Sequence, residues 1–569
     1  MSSSTVVEAP RSSRVQWIAL ASAWFVALAV LLVWLLETPQ SALRHQLKAA
    51  QFWSLEASVA LGLAIGAIIL RELQRQLERR DVITITMLAA LALGLTLCIP
   101  PRTNRIYYDE QIYQGIGQNL ADLKLAQMCN DGSVEYGRLR CFRGEYNKQP
   151  YGYPHLLSLA YRVFGVGART AFAVNAVAMA MTVCLLYLLV FALFSDRPAA
   201  LFAALLLMLT PEQVIWSATE AAEPSASLAC VVSLFAAAWF LRSRTTAALA
   251  GAGIAAAYAV QFRPESLLIL PVVGLMFWLR AREELTRPRL WWVGLLFLAL
   301  VAVHAGHTIA VRNEGWGTTQ ARLSLSYVSG NLRTNGWFYL ADARFPATFT
   351  LLAALGLIGQ RERAMRTVMG LYFVLFFGIC LLFYAGSYDY GADIRYSLAT
   401  YPSLAILGGL GVARLALWMD RVVPSAPTLP ALTAALAFQF LSYMPLVRAT
   451  GDEAWAARAD VRFAQSVVPE LRGNSFVLTH NPSMFHVWGV NAGQMSTAVT
   501  EPSYLPSLAA RYAGGVYLHW NYWCNVDDRV QPVFCAKVLA LGPVETIRDY
   551  RERGQHYVLY RLVLSRQKK

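Results

Sequence analysis

The chain has 569 residues, of which 56% are hydrophobic and only 15% charged, with a formal net charge of +14; its mean hydropathy is +0.41. That balance excludes an ordinary soluble globular protein and points to an integral membrane protein. The basic residues are scattered through loops and form no amphipathic stripe, which argues against a nucleic-acid partner and for a bilayer whose headgroups and lipid phosphates they meet.

A spanning helix needs about 20 predominantly apolar residues. Such runs are predicted at 17–36, 52–70, 82–100, 168–194, 198–216, 224–241, 246–261, 266–280, 290–310, 346–360, 367–385, 397–417 and 429–447, about thirteen in all. With the N-terminus cytoplasmic, Arg11, Arg14, Arg71, Arg75, Arg79, Arg80, Arg242 and Arg244 fall inside. Arg280, Arg282, Arg287, Arg289, Arg361, Arg363, Arg366 and Arg421 follow the same alternation, as the positive-inside rule requires. The first apolar run is too long for a signal-peptide core and lacks a small-residue cleavage pattern, so it reads as a retained helix.

Three segments then lie outside: loops at 101–154 and 311–345, and a tail from about 448 to 569. The tail carries the strand-like runs FVLTH at 476–480 and HYVLYRLVL at 556–564 among helical patterns, the signature of a small α/β module. The predicted fold is all-α and polytopic with this extracytoplasmic domain. Its divisions are an N-terminal tail with two additional helices (1–81), a main transmembrane domain (82–447) and the C-terminal domain (448–569). The expected location is a bacterial inner membrane.

Of the eight cysteines, Cys98, Cys184, Cys230 and Cys380 fall in predicted spans. Cys129 with Cys141, and Cys524 with Cys535, fall outside and are spaced to close short disulfide loops in an oxidising compartment, the alternative being neighbouring free thiols. Neither pair has zinc-site spacing.

The first outer loop opens with RIYYDEQIYQGIGQNLA, which puts Asp109 and Glu110 at the start of an amphipathic helix. A carboxylate at the membrane interface loses hydration, so its pKa rises and it can serve as a base; two helix-start acids favoured by the macrodipole are the alternative. Tyr113, four residues after Asp109, shares its helix face and is placed to stack on a ligand, to orient the carboxylate or to anchor at the interface. The loop closes with GEYNKQPYGYPHLLSLAYRVFG, in which Lys148 precedes Pro150 and Pro154.

An acidic pair after a helix, a Lys-x-Pro element about forty residues on, an apolar stretch ending in Phe-Gly, then Arg169 and Asn175, resembles the family 39-type glycosyltransferases of the GT-C superfamily. That family includes protein O-mannosyltransferases and the lipid A aminoarabinose transferase. LLLMLTPEQVIWSATEAAEPSASL at 205–228, AVQFRPESLLILP at 259–271 and DIRYSLATYPSLAILGGLG at 393–411 extend the likeness, over about residues 82–417.

The resemblance implies a polyprenyl-phosphate sugar as donor and an inverting displacement in which a carboxylate of the first outer loop deprotonates the acceptor hydroxyl. Asp109 matches that carboxylate, Glu110 its supporting acid, and Glu223, or Glu220, a later acidic position. The acceptor class, whether glycan, lipid or protein, is left open. A leaving phosphate gathers negative charge and needs fixed cations; Arg263, Arg312 and Arg395 sit at outer ends of spans and Lys148 in the outer loop, with headgroup contact the alternative for each. Tyr396, beside Arg395, shares the ambiguity of Tyr113.

His155, His304 and His307 invite a metal reading, the last two being three apart on one helical face. Where some relatives place an acid just before the lysine, this chain has Asn147, and Gln149 displaces the proline; a divalent metal is left open with no ligand motif to support it, and no cofactor is assigned. No P-loop, Rossmann, HExxH or GxSxG element stands in a suitable context. The alternative class is a secondary transporter or lipid flippase, which would favour mid-span charges and paired broken helices.

Overall fold

The computed structural model describes residues 14–564 except 107, 316–317, 390, 425–426 and 527–530; the predicted N-terminal tail through residue 13, with Arg11, lies outside the described residues. Three apolar helices open the chain: α1 (Arg14–Glu37), α2 (Gln40–Gln74) and α3 (Arg79–Cys98). Their most apolar windows are at most 22% buried, so they present hydrocarbon side chains outward, where lipid serves as the solvent. At 35 residues, α2 is longer than the span predicted at 52–70. Its first turns rise to the connecting segment, where Lys48 Nζ donates to Gly144 O at 2.6 Å.

The loop after α3 folds as α4 (Asp109–Leu123), a hairpin of β1 (Met128–Glu135) and β2 (Arg138–Glu145), and α5 (Gly152–Phe164). The remaining bundle comprises α6 (Ala168–Phe194), α7 (Arg197–Met208), α8 (Pro211–Ser217), α9 (Glu223–Ser243), α10 (Thr246–Ala259), α11 (Ile269–Arg280) and α12 (Pro288–Ala310). It closes with α13 (Val328–Ala341), α14 (Ala347–Leu357), α15 (Arg363–Leu382), α16 (Tyr401–Val422) and α17 (Thr428–Ser442).

Every predicted span falls on helix, but among the described residues eight helical spans are long and apolar enough to cross a membrane alone, and nine if α7 and α8, bent by 62°, count as one. The segments predicted at 246–261, 266–280, 346–360 and 429–447 form helices of 14, 12, 11 and 15 residues. At about 1.5 Å per residue these fall short of a hydrocarbon core about 30 Å thick, so the structure leaves the count of thirteen unconfirmed. Glycines set the closest helix contacts: a Cβ on Gly411 would lie 2.0 Å from Leu352 O, and one on Gly409 2.4 Å from Ala199 O. Small residues let α16 press backbone to backbone against α14 and α7.

After α18 (Met444–Arg448) and α19 (Trp455–Val467), the C-terminal domain builds β3 (Ser475–Thr479), α20 (Pro482–Val487), β4 (Asn491–Gln494), β5 (Gly515–Trp520), β6 (Val544–Glu552) and β7 (Gln555–Leu562). Strand alternation explains its two cores. Phe476 and Leu478 of β3 face one layer with Val516 and Leu518, while Val477 faces the other with Phe463 of α19.

The sheet runs β2-β1-β4-β3-β5-β7-β6. Its first two strands therefore come from the loop that follows α3, joined where β1 pairs antiparallel with β4, Asp131 opposite Gly493 and Gly132 opposite Ala492. That hairpin is closed by the Cys129–Cys141 disulfide, with Cα atoms 5.6 Å apart. Cys524 and Cys535 form a second disulfide.

Candidate functional site

The segment entering α4 is pinned from both sides. Arg105 pairs with Glu453 and donates to the carbonyls of Thr450 at 3.0 Å and Ala449 at 2.9 Å. Tyr108, in the left-handed region at φ 49°, donates its hydroxyl to Asp460. A Cβ on Gly115 would stand 2.3 Å from Ser483 Oγ, so glycine there lets α20 lie directly on α4. The first turn of α4 is thus fixed by the C-terminal domain.

Asp109 opens that turn. Its Oδ1 accepts from Gln149 Nε2 at 3.4 Å, and Gln149 Oε1 accepts from the Tyr113 hydroxyl at 3.3 Å. One amide thereby links the two residues that helical spacing places on a common face. Burial raises the Asp109 carboxyl above its ordinary range, opposed by the charges of Arg395, Arg263 and Lys148. Those three cations are near enough for their charges to act on Asp109.

Glu110 is fully buried. Its carboxylate accepts from the backbone N–H of Arg105 at 2.9 Å, Ile106 at 3.4 Å and Glu220 at 3.2 Å, so it staples the entry to α4 onto the α8–α9 turn. Burial pushes this carboxyl up to about 7. Glu220 Oε2 accepts from Asn104 at 2.6 Å and Gln114 at 2.7 Å; burial and the neighbouring Glu110 drive the Glu220 carboxyl well above the usual range.

Glu223, at the start of α9, gathers the cations. Its Oε1 accepts from Arg263 Nη1 at 2.6 Å and Arg395 Nε at 2.8 Å. Arg395 also gives Nη1 to Asp393 at 2.9 Å and Nη2 to the Tyr396 hydroxyl at 3.0 Å. Arg263 gives Nε to Glu265 at 2.6 Å. Both guanidinium groups lie over the Tyr396 ring, at 5.3 Å for Arg263 and 4.6 Å for Arg395. Buried charges persist when paired and hydrogen-bonded, and this cluster meets that demand.

The structure thus brings together Asp109, Tyr113, Lys148, Glu223, Arg263, Arg395 and Tyr396, drawn from five separated stretches of chain. Arg312 stands apart, exposed beyond α12, with its carbonyl accepting from Arg322 at 3.4 Å. Gln149, Glu265 and Asp393 also belong to the cluster. The sequence carried a signal for the two acids, each two residues from its arginine in RPE and DIR; for Gln149 it offered none.

The three histidines have other partners. His155 lies 3.1 Å from both Tyr258 and Glu56, and His307 lies 3.0 Å from the Tyr146 hydroxyl. His304 stacks on His307 with ring centroids 5.7 Å apart. Among the described residues, His480, Cys524 and Cys535 gather ligand atoms within 4.8 Å of one another. Both sulfurs are bonded to each other, and metal binding requires thiolates.

Residues 148–307 match the family described as dolichyl-phosphate-mannose-protein mannosyltransferase. No curated protein matches the chain. Among solved structures it is similar to ArnT from Cupriavidus metallidurans bound to undecaprenyl phosphate, at a TM-score of 0.55 and 14% identity, covering 86% of this chain and 99% of that one. The apo state of the same protein gives a TM-score of 0.53 at 13% identity, covering 84% of this chain and 97% of that one. The chain shares the fold of these structures.

Proposed function

We propose that this chain is a membrane glycosyltransferase that moves one sugar from a polyprenyl-phosphate carrier to an acceptor hydroxyl, with inversion and with Asp109 as general base. The observation that carries the reading is the action of the Lys148, Arg263 and Arg395 charges on Asp109, which sets a potential base beside a group of cations. The matched mannosyltransferase family and the fold shared with an undecaprenyl-phosphate-bound protein support it.

In the reaction, the acceptor hydroxyl gives its proton to Asp109 as its oxygen bonds to the anomeric carbon. The bond from that carbon to the phosphate oxygen breaks, and its electron pair leaves on the phosphate. Partial desolvation raises the proton affinity of Asp109, suiting it to this role. Charge developing on the phosphate is stabilised by fixed cations that need no reorganisation.

The roles divide by hydrogen-bonding capacity. Arg395 has each of its nitrogens engaged by Glu223, Asp393 or Tyr396, so it positions Glu223 and contributes field. Arg263 has Nε and Nη1 engaged, and its Nη2 is the guanidinium nitrogen offered to the phosphate, with the Lys148 ammonium, which also donates to Gly315 O, adding its charge. Glu110 acts as a staple that holds Asp109 in place. Catalysis takes place on the face that carries the C-terminal domain, which the charge pattern assigns to the extracytoplasmic side.

The test is to give the purified full chain in nanodiscs a panel of undecaprenyl-phosphate sugars and to follow release of undecaprenyl phosphate. Protein-dependent release from at least one donor is expected. Movement of lipid between leaflets with no donor consumed would favour the flippase alternative and contradict this reading.

A further inference from the structure

The end of the bundle far from Asp109 carries a second concentration of positive charge. α16 starts at Tyr401, close in sequence to Arg395, and Arg414 lies about 20 Å further along it at about 1.5 Å per residue. At that end α14 finishes at Leu357 and α15 starts at Arg363, with a short turn between them.

Arg366, in the first turn of α15, is only 9% exposed, and the turn is shaped around it. Its Nε donates to Arg361 O at 2.8 Å and its Nη1 to Gly356 O, so it caps carbonyls at the C-terminal end of α14. A Cβ on Gly359 would stand 2.6 Å from the Arg366 Cζ; glycine there lets the guanidinium lie against the turn. The Phe194 ring, at the end of α6, has its centroid 5.9 Å from the same carbon. All these partners are neutral, so they leave the charge of Arg366 in place.

Further arginines gather at this turn. Arg363 stands three residues before Arg366 and shares its helix face. Arg414 follows Gly411 by three residues, and a Cβ on Gly356 would stand 3.0 Å from Gly411 N; Gly356 is the residue whose carbonyl holds Arg366. Arg361 and Arg414 are near enough for their charges to act on Arg366. Arg361, Arg363 and Arg414 are exposed, and among the described residues none of the four arginines forms an ion pair.

The acids nearby are engaged elsewhere. Glu362 pairs with Arg280, Asp196 caps α7 by accepting from Ala199 N at 3.0 Å, and Asp420 accepts from the Thr428 hydroxyl. Charge of one sign at a membrane boundary is costly unless an anion meets it. Beside the arginines, Ile358, Leu417 and Trp418 are 68%, 62% and 59% exposed, apolar side chains that hydrocarbon covers better than water, with a tryptophan suited to headgroup level. Guanidinium forks fit phosphate oxygens, and the apolar flank fits acyl chains. A soluble phosphate would satisfy the first and leave the second uncovered.

We propose that the α14–α15 turn, together with Arg414 of α16, is a binding site for an anionic phospholipid, and that its four arginines suit the paired phosphodiesters of cardiolipin best. It lies at the opposite end of the bundle from Asp109, and it stands whether or not the chain is a glycosyltransferase.

The experiment titrates cardiolipin, phosphatidylglycerol and phosphatidylcholine into the purified full chain in detergent and reads lipid retention by native mass spectrometry. Cardiolipin is expected to bind at least about tenfold more tightly than phosphatidylcholine, with phosphatidylglycerol between them, because each basic residue near a lipid phosphate contributes severalfold. Arg361→Gln with Arg363→Gln and Arg414→Gln alters exposed side chains and leaves Arg366 capping α14; it should bring cardiolipin within about twofold of phosphatidylcholine. Arg71→Gln with Arg75→Gln and Arg79→Gln removes the same charge from exposed arginines beside Glu78, which pairs with Arg197 at the start of α7. That control should keep cardiolipin affinity within about twofold of the unaltered chain. Undecaprenyl phosphate affinity should stay within about twofold in the first variant. Equal binding of cardiolipin and phosphatidylcholine overturns the proposal. Equal losses in the two triple variants would show attraction to a basic surface at large and overturn the site. Loss of cardiolipin and undecaprenyl phosphate together overturns its separation from the donor site.

Discussion

The hydroxyl of Tyr108 donates to the carboxylate of Asp460, tying the residue next to Asp109 to α19, 352 positions along the chain. Asp460 also stands 2.9 Å from His519 Nε2, so the contact is anchored in the sheet. A non-glycine residue at positive φ is strained, and Tyr108 at φ 49° keeps that conformation because its side chain is held. Tyr108→Phe is expected to lower stability by about 1–3 kcal/mol, the cost of leaving a buried carboxylate short of a donor. It should also reduce turnover by about tenfold at unchanged donor affinity. Thermal unfolding together with steady-state kinetics checks both; unchanged turnover would remove the C-terminal domain from the positioning of α4.

Arg263 and Arg312 both lie at ends of spans, yet only Arg263 joins the cluster. Arg263→Ala should cut affinity for undecaprenyl phosphate by about tenfold or more, the range for a lost charged hydrogen bond. Arg263→Lys should restore little of it, since an ammonium cannot span Glu223, Glu265 and a phosphate as a fork does. Arg312→Ala should change affinity by less than about twofold. Equal losses in Arg263→Ala and Arg312→Ala, measured by binding to nanodiscs, would contradict the selection of Arg263.

Much of this was legible in the sequence, and the parts that were not share a cause. Apolar runs located the helices, because a bilayer demands a continuous apolar segment whatever the tertiary fold. They overstated spanning length wherever a short helix such as α14 is shielded by neighbours. Asp109, Arg263 and Arg395 stood out because charge at helix ends is costly unless used. Glu110 looked like a partner in the chemistry, and of its three backbone hydrogen bonds the one from Glu220 depends on a turn formed 110 residues later. The union of the first-loop hairpin with the C-terminal sheet was equally hidden. It rests on pairing such as Val134 N–H to Asn491 Oδ1 at 2.9 Å, which no local periodicity records.

Glu110 makes stability depend on pH. Its carboxyl titrates at about 7 in the folded protein against an ordinary value of 4.5, so its contribution is fully present below about pH 4.5 and is lost as pH rises through about 7. In Glu110→Gln that part of the profile should flatten, on top of a constant cost of about 1–3 kcal/mol where the amide nitrogen meets a backbone donor. Melting temperatures of both proteins between pH 4.5 and 8 would show it; parallel profiles would contradict the assignment.

Asp109 must be ionised to accept a proton, and burial raises its pKa above the ordinary 3.8. The rate of transfer should therefore fall on acidification along a limb that lies above 3.8, and Arg395→Gln should move the limb higher by removing the largest opposing charge. A limb below 3.8, or one unmoved in Arg395→Gln, would argue that another group accepts the proton.

The account turns on Asp109 as the base opposite a cation-held donor, and Asp109→Asn addresses it most directly in one preparation. Undecaprenyl phosphate binding should persist within about threefold, since the cations remain, while sugar transfer falls by about 10²–10⁴-fold, the contribution typical of a positioned general base. Full turnover in Asp109→Asn would contradict the account.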